Sequence, residues 1–208
     1  NQAGIPLKMG VFGRPGGGNL LLIKTGGILN RTKIRIDGRG NQLCCSANLH
    51  CCEIIIEGSN NVIEIGTKSE LHAFNILVKG TGCKVTVGNS VTSNGSNIIC
   101  MGKYNVISIG DDCMLSGQIE IWNTDSHYIL DIKTTLPINP GQPIRIGNHV
   151  WIGQHATILK GVTIGDHAIV GMNSVVTKNI PSYSVCAGNP AKVRKEGVSW
   201  NRHQTISF

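Results

Sequence analysis

Aromatic and charged side chains are scarce in this sequence, at 4% and 15% of its 208 residues. No apolar run approaches the ~20 residues that cross a bilayer as a helix, so we expect no membrane span. No signal peptide is recognised either. Because no basic run is interleaved with aromatic residues, nucleic acid is a poor candidate as a partner.

Metal-binding cysteine motifs are missing as well. The eight cysteines include two adjacent pairs, Cys44 with Cys45 and Cys51 with Cys52, but none has the Cys-x2-Cys spacing of a zinc site. Neighbouring residues on a strand point to opposite faces, so an adjacent pair is badly placed to chelate one ion. We interpret the cysteines as small hydrophobic residues of an interior and expect a reducing, cytoplasmic location.

Glycine and positive charge are what the sequence has in quantity, with 27 glycines and a formal net charge of +7. Abundant glycine favours many short strands with tight corners over a helical bundle. The positive charge is spread along the chain without a dense block. It suits an acidic ligand, such as a phosphorylated cofactor or an anionic sugar polymer.

An aliphatic residue recurs at every sixth position in the last third of the chain, at Ile146, Ile152, Ile158, Ile164, Val170 and Val176. A six-residue period fits neither the 3.6-residue turn of a helix nor a two-sided strand with a hairpin. It is typical of a solenoid whose short sides each send one aliphatic residue inward and turn at glycine or a small polar residue. The repeat therefore predicts a parallel β-helix, an all-β fold.

A looser repeat of 22 residues precedes the hexapeptides. Two series of glycines carry it, Gly58, Gly80 and Gly102 in one and Gly66, Gly88 and Gly110 in the other. Each unit contains an alternating strand, which predicts wide, irregular coils of the same solenoid in the N-terminal half. We interpret Ile34 and Ile36, before Gly38, as a degenerate first copy of that strand.

Two irregular stretches and a polar tail frame the repeats. The six-residue step stops at about residues 122–143, where three prolines and two aromatics predict an ordered loop that protrudes from one corner. Residues 1–30 are expected to cap the open end of the solenoid. The β-helix domain then covers 31–195, and 196–208 form a C-terminal tail.

Three segments together resemble a known family. They are Asn123-Thr124-Asp125-Ser126-His127 in the loop, Asn148-His149-Val150-Trp151-Ile152-Gly153 in the hexapeptides, and Ala187-Gly188-Asn189-Pro190-Ala191-Lys192-Val193 after them. They are similar to the hexapeptide-repeat acyltransferases, and most similar to the bacterial O-acetyltransferases of sialic-acid and other capsular saccharides. The resemblance implies a single-stranded left-handed parallel β-helix, a homotrimer, and transfer of acetyl from acetyl-CoA to a saccharide hydroxyl.

The resemblance also implies roles for residues of the loop and the hexapeptides. His127 is expected to be the general base that takes the proton of the acceptor hydroxyl. Asp125 is a candidate to orient its imidazole, with a partner from another coil as the alternative. Trp151 is expected as an exposed indole at a corner that packs on the cofactor or acceptor. Its N–H, or a nearby backbone N–H, is expected to stabilise the oxyanion.

Coenzyme A carries several phosphate charges, so cationic groups should mark its path. Residues on the late coils and the tail are therefore candidates, together with small residues that let the pantetheine arm approach the backbone. The predicted cofactor-binding residues are Trp151, Gly153, Lys160, Gly171, Lys178, Ala187, Lys192 and Arg194.

Three other functions stay open at the level of the sequence. The first is an N-acetyltransferase that acts on an amino sugar. The second is a zinc β-helix enzyme, since His149 and His167 are 18 residues apart and should stack on one side of a three-sided coil. That class also needs two histidines five residues apart, which are missing, so we expect no metal. The third is a non-catalytic solenoid that only binds.

Overall fold

The computed structural model describes residues 10–13, 17–23 and 28–202, and no helix occurs among them. The expected cap falls partly on residues 1–9, 14–16 and 24–27, which lie outside the described residues, as do 203–208 of the tail. The first twelve strands are β1 (Gly10–Gly13), β2 (Leu20–Ile23), β3 (Leu29–Asn30), β4 (Lys33–Arg39), β5 (Gln42–Cys45), β6 (Asn48–His50), β7 (Glu53–Ser59), β8 (Val62–Ile65), β9 (Glu70–Thr81), β10 (Lys84–Val87), β11 (Thr92–Lys103) and β12 (Val106–Ile109).

The later strands are shorter, as the hexapeptide pattern predicts. They are β13 (Met114–Leu115), β14 (Ile119–Trp122), β15 (Ile144–Ile146), β16 (Trp151–Ile152), β17 (Thr157–Leu159), β18 (Thr163–Ile164), β19 (Ile169–Val170), β20 (Val175–Val176), β21 (Ser184–Ala187) and β22 (Lys192–Glu196). All pairings among the described strands are parallel except that of β21 with β22.

The strands stack into the three faces of a parallel β-helix. One face is the sheet β2-β5-β8-β10-β12-β15-β18. The second contains β3, β6, β13, β16, β19 and β21, and the third contains β1, β4, β7, β14, β17 and β20. Strands β9 and β11 bend around the corner between these two faces: β9 pairs with β6 through its first residues and with β7 through its last ones.

The core is a column of inward aliphatic side chains, one from each short side. All six hexapeptide positions from Ile146 to Val176 are buried, which confirms the sequence prediction. Ile109, Leu115 and Ile121 continue the same column into the preceding coil. Full burial of each such side chain contributes about 1.5–3 kcal/mol to folding.

The wide coils confirm the 22-residue repeat and correct its first copy. Gly58, Gly80 and Gly102 lie in register, and a Cβ on Gly58 would come within 1.9 Å of the Gly80 carbonyl oxygen, so the stack requires glycine there. The prediction for Ile34 and Ile36 is wrong, because Gly38 pairs with Gly58 and not with the second glycine series. The strand series that contains β8 begins with β2 and β5 instead, which pair in register with each other and then with β8.

Several corners of the tight coils are built by histidine in the left-handed region. His149, His155 and His167 have φ angles of 52°, 59° and 61°. Histidine tolerates this conformation better than most side chains with a Cβ do. The backbone conformation at these corners therefore accounts for histidine at the three positions without any metal. His149 and His167 lie one above the other on one side of the coil, as predicted, with ring centroids 5.0 Å apart and the ring planes tilted by 50°.

Candidate active site

The predicted loop leaves the coil after β14 and returns at β15, so it covers residues 123–143. Asn123 closes its root. The buried side chain of Asn123 accepts a hydrogen bond from the Met101 amide at 2.8 Å and donates one to the Met101 carbonyl at 3.1 Å. Its carbonyl accepts from the Gln142 amide at 2.9 Å. Hydrogen bonds thus fix the two ends of the loop to the coil.

His127 lies exposed on this loop, where the backbone holds it from both sides. Its amide donates to the Asp125 carbonyl at 2.7 Å, and its own carbonyl accepts from Asn139 Nδ2 at 2.8 Å. The imidazole makes no hydrogen bond to any residue that the structure describes. It borders a groove of about 480 Å³ whose lining includes Lys103 and Tyr128. An open imidazole on a fixed backbone is suited to proton transfer with a bound ligand.

Asp125 faces the root of the loop. Its Oδ2 accepts hydrogen bonds from Lys160 Nζ and, at 2.7 Å, from Asn139 Nδ2. The Lys160 ammonium, followed by the Asn139 amide, holds the pKa of Asp125 below its usual range. Asp125 therefore orients the loop within one chain, and the structure provides no contact between its carboxylate and the imidazole. Lys160 is occupied by this pair and is separate from the other predicted cofactor residues.

Trp151 lies on β16 with its side chain outward, half-buried. The expectation of an exposed indole at a corner is wrong, because the corner is formed by His149. The Trp151 amide donates to the Ala168 carbonyl at 3.0 Å in the coil ladder. Its indole Nε1 is buried and has no acceptor among the described residues. The backbone N–H of Trp151 is therefore used within the coil, while its indole N–H is buried and unpaired.

A second cleft, of about 400 Å³, brings together three of the predicted cofactor residues. Trp151, Gly153 and Gly171 line it with Ser116 and Met172. A Cβ on Gly171 would lie 3.0 Å from the Cβ of Ala187, so both positions are small where neighbouring coils meet. Stacking of the coils therefore favours small residues at these positions, and the lining of the cleft is mostly apolar.

The remaining predicted cations are on the surface beyond this cleft. Lys178 is exposed in the turn after β20, and Lys192 and Arg194 are exposed on β22. Arg194 Nε donates to the Ala187 carbonyl at 3.3 Å, which brings its guanidinium to the edge of the last coil.

The C-terminal tail contributes a cluster that the sequence analysis missed. Trp200 stacks on His149 with ring centroids 4.2 Å apart, and its Nε1 donates to the His149 carbonyl at 2.7 Å. Arg202 donates to four acceptors, Asp112 Oδ1 at 2.8 Å, Thr92 Oγ1 at 2.8 Å, the Cys113 carbonyl at 3.0 Å and the Ser90 carbonyl at 3.1 Å. The presence of Trp200 and Arg202 in the tail could have indicated this packing from the sequence, because both side chains usually find partners when they are partly buried.

The same cluster fixes the side chains around Trp151. Trp200 lies 6.3 Å from Trp151 by ring centroids, and Asp112 binds both His149 Nδ1, at 2.6 Å, and Arg202. Burial alone would raise the pKa of Asp112, but the hydrogen bonds from His149 and Arg202 hold it below its usual range. The tail thus packs back on the tight coils beside the second cleft.

A larger groove, of about 580 Å³, lies on the third face beside the loop. Outward residues in register form an apolar column along it: Ile55, Leu77, Ile99, Trp122 and Leu159. A polar ladder runs next to this column, in which Asn75 donates to Asn97 at 3.0 Å and Asn97 to Glu120 at 2.7 Å. Glu53, Glu120 and Asp125 make the lining of this groove acidic as well as apolar.

The geometry defines a class of protein, a parallel β-helix with a histidine-bearing loop and an apolar cleft on its late coils. Residues 143–178 match the family model described as bacterial transferase hexapeptide (six repeats). Over 93 residues the chain is 42% identical to the polysialic acid O-acetyltransferase of Escherichia coli O1:K1 / APEC, a match that spans 45% of this chain and 30% of that protein. The described residues contain no helix that could span a membrane.

Two solved structures are similar over nearly the whole chain. The polySia-specific acetyltransferase NeuO has a TM-score of 0.82 at 30% identity, with 96% of this chain and 92% of that chain covered. The polysialic acid O-acetyltransferase OatWY has a TM-score of 0.69 at 29% identity, with 97% and 95% covered. The chain therefore belongs to the hexapeptide-repeat acyltransferase family, and its fold is the left-handed parallel β-helix of that family.

Proposed function

We propose that this protein is an O-acetyltransferase that moves acetyl from acetyl-CoA to a hydroxyl of a saccharide, with a sialic-acid-containing capsular polymer as the acceptor. The observation that carries the proposal is the similarity to NeuO over 96% of the chain. The net charge of +7 supports an anionic acceptor. We place the reaction in the cytoplasm, where acetyl-CoA is available.

In the proposed reaction His127 is the general base. Its neutral imidazole takes the proton of the acceptor hydroxyl while the hydroxyl oxygen attacks the thioester carbonyl carbon. The tetrahedral intermediate collapses, the C–S bond breaks, and the coenzyme A sulfur receives the proton from the imidazolium. The products are the acetyl ester and the free thiol, with no acyl-enzyme intermediate. The exposed imidazole beside the 480 Å³ groove supports this role.

The cleft lined by Trp151, Gly153 and Gly171 is the proposed site of the pantetheine arm. Its apolar lining suits a chain that carries no charge. Arg194 and Lys192 on β22, and Lys178 in the turn after β20, are proposed to meet the phosphates. Lys160 is left out of this set, because its ammonium is paired with Asp125. No metal has a part in the proposed chemistry.

We also propose a homotrimer in which another subunit completes each active site. Two apolar surfaces support it, one exposed and one half-buried in a single chain. The loop presents large hydrophobic side chains, among them Tyr128, Ile132 and Leu136 with 78%, 93% and 63% exposed. The third face presents the column around Leu77 and Trp122. Since carboxylates line that groove, it suits a second copy of the chain better than an anionic polymer.

The experiment is to measure release of the coenzyme A thiol by purified protein with acetyl-CoA and a panel of acceptors. The panel contains polysialic acid, free sialic acid, a neutral polysaccharide and an amino sugar. The proposal predicts the fastest release with polysialic acid and almost none with the neutral polymer. Release only with the amino sugar would instead establish the N-acetyltransferase, and release with no acceptor would contradict both.

A further inference from the structure

A second histidine column lies on the wide coils, where β6 ends and β9 bends from the second face to the third. Asn30, His50, His72 and Asn94 follow one another in register on successive strands. The rings of His50 and His72 are stacked, with centroids 4.6 Å apart and an interplanar angle of 10°. Glu70 lies two residues before His72 on the same strand and therefore on the same face of it.

The three side chains place their donor atoms together. One nitrogen of His50, one of His72 and one carboxylate oxygen of Glu70 all lie within 4.8 Å of one another. Glu70 Oε2 is 3.9 Å from His50 Nε2. Two ligands of a tetrahedral zinc ion lie roughly 3.4 Å apart, as Zn–N bonds of about 2.1 Å require. Small rotations of these partly exposed side chains are enough to close the remaining gap.

Neighbouring amides hold the donors in the way that metal ligands are held. Asn48 Nδ2 donates to Glu70 Oε1, which leaves Oε2 as the free oxygen. Asn30 Nδ2 lies 3.4 Å from His50 Nδ1. With its amide turned over, Asn30 would accept the Nδ1 proton and leave Nε2 of His50 for a metal.

The histidine column on the tight coils differs from this one, because its rings are tilted by 50° and face other groups of the protein. There His149 Nδ1 faces Asp112 at 2.6 Å and His149 Nε2 faces the Trp200 carbonyl at 3.0 Å. His167 stacks on Tyr183, and its Nδ1 lies 3.3 Å from Ser199 Oγ. At His50 the group that faces Nε2 is the Glu70 carboxylate, which is itself a metal ligand.

From this arrangement we infer a binding site for a divalent transition metal, most simply Zn²⁺, formed by His50, Glu70 and His72. Two imidazoles and one carboxylate are a ligand set that zinc accepts, with a fourth position open to water. The metal would join two consecutive wide coils from outside. The site shares no residue with the candidate active site, and it is independent of the proposed acetyl transfer.

The test is calorimetric titration of ZnCl₂ into the full chain, after treatment with a chelator and removal of any polyhistidine tag. We expect one zinc ion per chain. His50→Ala and His72→Ala should each weaken binding by at least ~10-fold, because even loss of an outer orienting group costs about 10–100-fold.

Two matched controls separate this site from incidental binding. His155→Ala removes an exposed histidine elsewhere, and Cys51→Ser removes the exposed thiol next to His50. Both should keep the affinity of the parent. Unchanged affinity in His72→Ala, or equal losses in His72→Ala and either control, would overturn the inference and leave adventitious binding only.

A stability measurement covers a failure of either histidine variant to fold. Zinc should raise the melting temperature of the parent protein and not that of Glu70→Gln, while the metal-free proteins melt at the same temperature. An equal rise in both proteins would contradict the assignment of Glu70 as a ligand.

Discussion

Two grooves meet at the loop, and Thr124 lines both of them. The groove beside His127 has a cation, Lys103, and an imidazole without a protein partner. The groove beside Trp122 is larger, and it combines an apolar column with three carboxylates. The size of a cavity therefore does not identify the reactive site here. The side chains of the lining distinguish the two grooves: the one beside His127 suits an anionic acceptor, and the one beside Trp122 suits another copy of the chain.

The difference arises from how the coil uses its outer surface. Along β7, β9, β11, β14 and β17, one outward position in each coil is apolar, and register aligns these side chains into one column. The loop interrupts this regularity at residues 123–143 and introduces the groove that His127 lines. Repetition thus forms a surface for association, and the break in repetition forms the candidate site for chemistry.

The largest expected effect is on the groove beside His127. His127→Ala should lower kcat for acetyl transfer by about 10²–10⁴, since it removes the proposed base. Affinity for acetyl-CoA and the size of the assembly should not change, because the imidazole contacts no described residue. Steady-state kinetics with calorimetry of acetyl-CoA binding check this; retention of the parent kcat would exclude His127 as the base.

A substitution in the groove beside Trp122 should affect assembly of the subunits and not the chemical step. Leu77→Asp places a charge in the apolar column and should convert the proposed trimer into single chains, with loss of activity as a consequence. Light scattering after size exclusion measures the mass. Thr86→Asp puts the same charge on the outer face of β10 and should leave the mass unchanged. A trimer that survives Leu77→Asp would place the subunit interface elsewhere.

A change at the tail should affect neither groove directly. Arg202→Gln removes hydrogen bonds to Asp112 and the Cys113 carbonyl among others, and it should lower the free energy of unfolding by about 1–3 kcal/mol. The KM for acetyl-CoA should rise as Trp200 loosens beside Trp151, while the mass stays that of the parent. Denaturant titration and kinetics check the two effects, and an unchanged free energy of unfolding would contradict the tail contact.

The difference in stability between the parent protein and Arg202→Gln should depend on pH in a definite direction. The folded pKa of Asp112 is lowered, so its stabilising contribution is present above its unfolded value of about 3.9 and is lost as the pH falls through the folded pKa. The stability gap between parent and Arg202→Gln should therefore narrow below about pH 4. A constant gap from pH 7 to pH 3 would show that the Arg202–Asp112 pair contributes nothing.

The smallest expected effect tests whether the positive charge of the groove beside His127 contributes to binding of the acceptor. Lys103→Ala should raise the KM for polysialic acid by about 5-fold, the ~1 kcal/mol of an exposed charge pair. It should leave kcat nearly unchanged. Lys79→Ala removes a lysine that pairs with Glu57 on the third face and serves as the control. Equal KM values for Lys103→Ala and the parent would remove Lys103 from the acceptor site.

Much of the fold could be predicted because each coil repeats the same local requirement. The aliphatic positions, the wide coils and the loop all followed from spacing, and the structure confirms them. Ile34 and Ile36 were misaligned because the spacing between coils varies in this part of the chain, with 20 residues and not 22 from Gly38 to Gly58.

The side-chain partners of the site could not be predicted in the same way. Asp125 pairs with Lys160, 35 residues away, and Trp200 reaches His149 across 51 residues. Such contacts depend on which corners the loop and tail cross, and a six-residue period says nothing about that. The half-burial of Trp151 has the same origin, since Trp200 packs near it.

The most direct test of the account is to identify the product formed from polysialic acid and acetyl-CoA labelled with ¹³C in the acetyl group. The account predicts a labelled ester carbonyl on the polymer with the parent protein, formed about 10²–10⁴ times more slowly by His127→Ala. A labelled amide, or an unmodified polymer under conditions in which the protein binds acetyl-CoA, would contradict O-acetyl transfer to a sialic-acid polymer as its function.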